Sequence, residues 1–290
     1  MSTPGTILIT GGTGKVGRRV VEQLAGRPGV RALAHSDASA EQLAEHDLDV
    51  RRGAIEDARA LGEALKGVEA LFLLTPFTPD QAAVEIGALE AARAAGVRRV
   101  VKLSSVNEGR DIAMYRGHAA ASRRARELGF EHVTILQPDN FMDNELDALD
   151  GLRAGALYAN SGDARLAFVD ARDIAAVAVA ELTAERPHGG DLVITGPEAL
   201  TYGEWAARLG AAAGVELGHV SPPDADFEAA LLGAGLPGFL AAALTEMFAS
   251  FRSTGGTVAP TDVVERVAGR PPHTPEDFAR DVLAPLLAPA

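Results

Sequence analysis

Apolar runs rich in β-branched residues alternate along the chain with Ala-rich stretches whose apolar positions recur at helical spacing. Thr6-Ile-Leu-Ile-Thr10 predicts a buried first strand, and residues 18–24 the helix after it. Residues 30–34 predict a second strand, 40–45 a short helix, 50–52 a weak third strand and 58–65 another helix. VEALFLL at 68–74 predicts a fourth strand, with a helix over 80–95 that Gly96 ends as a C-cap. RVVKL at 99–103 is a fifth strand, 119–128 a helix closed by Gly129, VTIL at 133–136 a sixth strand and LVIT at 192–195 a later one. Strands separated by helices at this spacing build βαβ units. Their continuous apolar character suits a parallel sheet covered on both faces.

After Leu136 the rhythm loosens into Gly- and Pro-rich segments joining short helices. The expectation is an α/β chain: a Rossmann-like, doubly wound parallel sheet in residues 1–150, and a smaller C-terminal substrate-binding region in 151–290. That second region is expected over the carboxyl ends of the strands, returning to the sheet near Val169 and through a strand near 191–195. Within it, 227–251 places Phe, Leu and Met at near-helical spacing on two pieces broken around Gly233–Gly238. Such a stripe reads as core packing or as a lid closing a crevice. The lid reading puts Phe239, Met247 and Phe251 in a substrate pocket.

Composition narrows the classes. The chain has 290 residues, 47 % hydrophobic and 23 % charged, with no cysteine. A disulfide framework, a thiolate zinc site and a Cys nucleophile are therefore excluded. A net charge of −13 argues against nucleic acid and anionic membrane as partners and leaves a small molecule. The longest uncharged stretch, 229–245, is short for a membrane span and is interrupted by Gly and Pro. The start of the chain has neither a basic nor an apolar leader segment, so a cytoplasmic location is expected. Oligomeric state is not legible, and no His/carboxylate cluster suggests a metal.

The sharpest motif is Thr10-Gly-Gly-Thr-Gly-Lys-Val-Gly17, between the first strand and its helix. Gly11 makes a tight turn, Gly14 lets backbone N–H groups approach a pyrophosphate, and Gly17 lets the helix pack closely on the strand. Gly11, Thr13, Gly14, Lys15, Val16 and Gly17 are thus the predicted phosphate cradle of a dinucleotide. Lys15 is followed by Val16, so the GK[ST] ending of an ATP-binding loop is missing. An acid at the end of the second strand would hold the ribose 2′-OH of NAD; here the strand continues His35-Ser36-Asp37. His35 and Ser36 are read as hydrogen-bond donors to a 2′-phosphate, which favours NADP(H) over NAD(H).

Further motifs follow in order: FLLTP at 72–76, AARAAGVRRVVKLSS at 91–105, His118, TILQPDNFMDN at 134–144, FVDARDIA at 168–175, TGPEALTY at 195–202 and VERVAGRPP at 264–272. With the glycine turn, this succession resembles the NmrA-like branch of the atypical short-chain dehydrogenases/reductases, which includes NAD(P)H:quinone oxidoreductase-like proteins. The resemblance covers nearly the whole chain. It implies cofactor contacts at Thr75, Pro76, Lys102, Pro138 and Asn140, and places Ser104 and His118 near the chemistry. Lys102, His118 and Ser104 are the candidate catalytic residues, and Phe141 and Met142 a candidate apolar wall for a flat ring. Four positions depart from the family pattern: His35 stands where NADP-using relatives commonly carry an Arg, Ala54 replaces an Asp near the adenine, Ser122 a Glu four residues after the histidine, and Gln137 the arginine of TILRP.

The tyrosines at 115, 158 and 202 are followed four residues later by Ala119, Gly162 and Ala206, so the Tyr-x-x-x-Lys pair of ordinary alcohol dehydrogenases is absent. An acceptor that is already electrophilic does not need that pair. Asp170 and Asp173, flanking Arg172 beside a helical run, read as a cap and an ion pair. The expected function is an NAD(P)H-dependent reductase of a quinone or other flat conjugated carbonyl compound. The alternatives are a non-catalytic NAD(P) sensor that binds a regulatory protein, and a natural-product tailoring reductase, isomerase or cyclase.

Overall fold

A computed structural model of the chain describes residues 5–287. The first four residues, on which part of the leader reading rests, lie outside that range. The chain begins β1 (Thr6–Ile9), α1 (Lys15–Leu24), β2 (Val30–Ala34), α2 (Asp37–Ala44), β3 (Asp49–Arg52) and α3 (Ala58–Ala64). It continues β4 (Val68–Leu73), α4 (Gln81–Ala94), β5 (Arg99–Leu103), α5 (Ala113–Glu127) and β6 (His132–Pro138). After α6 (Leu149–Arg153) and β7 (Ala156–Tyr158) come α7 (Ala171–Thr183) and β8 (Gly190–Ile194). The seven strands of the main sheet lie in the order β3-β2-β1-β4-β5-β6-β8. From β1 to β6 every pairing is parallel, with Ile7 opposite both Val30 and Ala70, and Lys102 opposite both Leu73 and Ile135. The chain winds outward from β1 to β3 and then, from β4, outward the other way. The reversal between β1 and β4 opens the crevice in which such folds bind nucleotides.

The predicted strands are present, and their apolar residues are buried as both-face burial requires. Leu8, Leu71, Val100 and Ile135 pack with Leu61, Leu65, Leu89, Ala92 and Ala121 of the covering helices. β3 is the exposed edge, as its Asp49-Val-Arg-Arg52 sequence suggests.

Two compact units divide the chain. The first takes everything up to Gly109, Tyr115–Gln137 and Ile174–Val193; the second takes Arg110–Met114, Pro138–Asp173 and Ile194 onward. This differs from a single boundary near residue 150. β6 ends the contiguous part of the sheet, and the chain then leaves for unit 2. It returns with α7 and β8 because β6 still offers an unpaired edge. The returning strand expected at 191–195 is β8.

Unit 2 adds α8 (Tyr202–Ala213), β9 (Gly218–Val220), α9 (Asp224–Gly233) and α10 (Gly238–Thr254), and β7 pairs with β9 in parallel. Its core is aromatic: Phe168 stacks on Trp205 at 4.4 Å, Tyr202 meets both edge-on, and Phe248 contacts Tyr202, Phe227 and Phe251. α9 and α10 break at 234–237, as the Gly and Pro residues there predict. α5 starts at Ala113, well before the expected 119. The Glu246 carboxylate accepts from the Ala113 N–H at 2.8 Å, a cap supplied from 133 residues away that no local pattern reveals. No described helix is long and apolar enough to cross a membrane.

Candidate functional site

The glycine turn sits at the carboxyl end of β1, beside the end of β4. Thr10 joins the two: its hydroxyl lies 3.0 Å from the Leu74 carbonyl and accepts from the Leu74 N–H at 2.9 Å. Gly11 has φ +64°, and a β-carbon on Gly17 would lie 2.0 Å from the Gly11 carbonyl oxygen, so the turn requires glycine at both. At Gly14 an added β-carbon would come no closer than 3.4 Å to that carbonyl, and the residue is exposed. α1 begins directly after Gly14, and no side chain caps its N-terminus. By contrast, Ser36, Asp57 and Thr201 cap α2, α3 and α8. Backbone donors at an open helix start, over a surface with no side chain in the way, fit a pyrophosphate. Thr13 and Lys15 are half-buried on this turn, and Val16 is core.

Beyond β4 lies a buried polar network. Lys102 on β5 is fully buried. Its Nζ lies 2.9 Å from Glu85 Oε2, donates to the Leu103 carbonyl at 2.9 Å, and faces His118 Nδ1 at 3.3 Å. Thr75 donates to Glu85 Oε1 at 2.8 Å. The Gln81 amide nitrogen lies 3.4 Å from Thr75 Oγ1 and 3.5 Å from His118 Nε2. Burial holds the Glu85 carboxyl above its usual range and the Lys102 ammonium below its own, each against the attraction of the other. Burial, and then the neighbouring ammonium, depress His118 to about 3, so its ring is neutral at physiological pH. Three of the predicted residues, Thr75, Lys102 and His118, are thus brought together. Pro76 follows Thr75 on the exposed rim.

Glu85 and Gln81 were missed in the sequence, although a signal was there. They fall on the same face of α4 as Ala88, Leu89 and Ala92, the stripe that buries against the sheet. A carboxylate in a buried stripe implies a buried cation, and Lys102 is the lysine in an apolar strand.

Ser104, at the end of β5, is buried and donates to the Glu108 carboxylate, which also accepts from Ser122 at 2.7 Å. Arg126 approaches the other Glu108 oxygen at 3.5 Å. The carboxylate absent at position 122 is therefore present in space, carried by Glu108, and Ser104 spends its hydroxyl proton on it.

Around β2, His35 and Ser36 are exposed. The Ser36 hydroxyl caps α2 by accepting from the Ser39 N–H at 3.2 Å. Arg52, another residue missed, ends β3 opposite Ala34 and pairs with Asp37 at 2.6 Å.

The remaining predicted residues belong to unit 2. Pro138 and Met142 are buried, and Asn140 and Phe141 half-buried. Their loop is stitched to 167–171: Met142 N–H donates to the Val169 carbonyl, Val169 N–H to the Asn140 carbonyl, and Ala171 N–H to Asp143. Asp139 accepts from the Ala167 N–H at 2.9 Å and from Thr257. Asn140 donates to the Tyr202 hydroxyl at 3.0 Å, which donates on to Glu145. Burial and then Glu145 push the Tyr202 phenol well above its usual range, so it is no proton donor at neutral pH. On α10, Met247 and Phe251 are packed inside unit 2, while Phe239 is 42 % exposed. Asp170 and Asp173 behave as a cap and ion pairs: Asp170 holds Arg172, and Asp173 holds Arg270 and His273.

A family model described as NAD(P)H-binding matches residues 11–185. The NAD(P)H azoreductase of Xenophilus azovorans is 34 % identical over 278 residues, covering 94 % of this chain and 96 % of that protein. A (4-alkanoyl-5-oxo-2,5-dihydrofuran-3-yl)methyl phosphate reductase of Streptomyces griseus is 36 % identical over 283 residues, covering 95 % and 97 %. Among solved structures, the NADPH-dependent quinone oxidoreductase of Escherichia coli in complex with NADPH aligns with a TM-score of 0.83. It is 27 % identical and covers 96 % of this chain and all of that one.

Proposed function

This chain belongs to the NAD(P)H-binding family, in its NmrA-like atypical short-chain dehydrogenase/reductase branch, and on that premise we propose that it reduces a quinone or another flat conjugated carbonyl compound. It is an NAD(P)H-dependent reductase. The observation that carries the reading is the open glycine cradle at the β1/β4 reversal, beside a buried network that holds no tyrosine. Gly11, Thr13, Gly14, Lys15, Val16 and Gly17 are proposed to hold the pyrophosphate, and Thr75, Pro76, Lys102, Pro138 and Asn140 to border the rest of the cofactor. A bound dihydronicotinamide supplies hydride. An acceptor whose carbonyls are conjugated takes it without a strong acid, which suits a buried network that holds no tyrosine.

For NADP(H) over NAD(H), the support is chemical. His35 and Ser36 sit at the end of β2, and Arg52 beside them adds a guanidinium where a 2′-phosphate needs one. Phe141 and the exposed Phe239 are the proposed contacts of the acceptor. Met142, Met247 and Phe251 are spent on packing. The test is oxidation of NADPH and of NADH against a panel of quinones, an azo dye and a conjugated lactone, with titration calorimetry for both cofactors. Acceptor-dependent loss of nicotinamide absorbance is expected. Tight cofactor binding with no turnover of any acceptor favours the sensor reading instead.

A further inference from the structure

The imidazole of His118 has a hydrogen-bond donor at each end. Nδ1 faces the Lys102 ammonium at 3.3 Å, and Nε2 faces the Gln81 amide nitrogen at 3.5 Å. A neutral ring accepts at one nitrogen and must carry its hydrogen on the other. The ammonium decides which. Glu85 accepts from the Thr75 hydroxyl at 2.8 Å and lies 2.9 Å from Lys102 Nζ, the geometry of a carboxylate–ammonium pair. Lys102 Nζ is ion-paired with Glu85 Oε2 at 2.9 Å, donates to the Leu103 carbonyl at 2.9 Å and faces His118 Nδ1 at 3.3 Å. Nδ1 is therefore the acceptor, and the ring hydrogen lies on Nε2.

Among the described residues that N–H has no good acceptor. The nearest polar atom is the Gln81 amide nitrogen, a donor at 3.5 Å, while Gln81 Oε1 is buried without a partner. A half-buried donor without a good partner is unfavourable, so this arrangement points to an acceptor arriving with a ligand. Protonating the ring would set a second cation against the ammonium, so this donor is not a proton carrier.

We infer that Glu85 and Lys102 are positioning residues that hold His118 as a neutral Nε2–H hydrogen-bond donor to a carbonyl oxygen of the bound ligands. The inference rests on the reductase reading for its ligand: the oxygen belongs either to the electron acceptor or to the nicotinamide amide. In the first case the donor stabilises negative charge developing on the acceptor oxygen as hydride arrives, and the proton that completes the reduction comes from water. The groups that set the state of the ring are Lys102 on β5, Glu85 and Gln81 on α4, and, acting through Lys102, Glu108 and Arg126.

Two measurements decide. Nitrogen-15 spectra of the histidine rings, in the presence and absence of NADPH, report tautomer and charge. The expected result is the Nε2–H form of His118 with no titration between about pH 5 and 8. In Lys102→Met, and in the double variant E85Q/K102M that removes the buried charge pair together, His118 should begin to titrate in that range. An Nδ1–H or cationic ring in the wild-type protein at neutral pH overturns the inference. The second measurement compares His118→Asn, which keeps a donor, with His118→Phe, which does not. NADPH affinity is read by fluorescence and kcat/KM with benzoquinone. Loss of about 100-fold in kcat/KM for Phe alone, with partial rescue by Asn, assigns the acceptor oxygen. The same pattern in NADPH affinity assigns the nicotinamide amide. A Phe variant unchanged in both quantities overturns the inference. If the wild-type protein turns over no quinone, the acceptor reading fails, while the ring spectra and NADPH affinity still judge the role of His118.

Discussion

Two loops at the carboxyl ends of strands carry the same kind of sequence signal, and the structure treats them differently. The glycine turn after β1 leaves the first N–H groups of α1 without a side-chain cap over an exposed Gly14. The 139–144 segment after β6 is richer in polar side chains, yet Asp139, Asn140 and Asp143 are engaged with Ala167, Thr257, Tyr202 and Ala171. Polar residues in a loop do not by themselves mark a site. Polar groups left without a partner do, and the count of hydrogen bonds separates a cradle from a staple.

The largest effect that sharpens this contrast is in unit 2. Phe168→Ala removes the ring stacked on Trp205 and is expected to cost about 3–5 kcal/mol of stability. Cofactor affinity of the folded fraction should be unchanged, by denaturant unfolding and NADPH fluorescence. In unit 1, Gly17→Ala forces a β-carbon against the Gly11 carbonyl. Stability should fall by about 2–4 kcal/mol and NADPH binding should be lost even in the protein that remains folded. A Gly17→Ala protein that melts early but binds normally would break the contrast.

A third effect is pH-dependent. His118 is held near 3 in the folded chain and returns to about 6.5 when unfolded. Between those values the unfolded state binds the extra proton, so stability is full above about pH 6.5 and is lost as pH falls toward 3. At pH 4.5 the loss from this group is about 3 kcal/mol. His118→Phe should abolish that part of the slope in urea unfolding at pH 7 and pH 4.5. The smallest effect concerns the exposed edge: Arg52→Ala should weaken NADPH about tenfold by calorimetry while leaving NADH unchanged. Equal weakening of both would remove Arg52 from the 2′-phosphate reading.

Much of unit 1 was legible because both-face burial writes continuous apolar strands, and a strand–glycine–helix junction has few other uses. Lys102 stood out as a charge in an apolar strand. Glu85 did not, because in α4 it reads as one more polar residue on an amphipathic helix until the helix is oriented against the sheet. The early start of α5 and the role of Glu108 were hidden for a similar reason, since Glu246 and Ser122 reach their partners only through the tertiary fold. In the 227–251 segment the break was visible. Which residues face outward was not, because the stripe on α10 is apolar nearly all round, and exposure there belongs to Phe239 rather than to Met247 or Phe251.

The return of Ile174–Val193 to the first unit bears on when this protein can fold. A ribosome releasing the chain delivers β1 to β6 first, with one sheet edge lacking its final neighbour. α7 and β8 emerge only after about two-thirds of the chain, once the 138–173 excursion has been made. The seven-stranded sheet therefore closes late, through contacts distant in sequence, and its completion is expected to be slow compared with the βαβ units that precede it. Until then the exposed edge of β6 is the place where a nascent chain is open to mispairing with another strand or to capture by a chaperone.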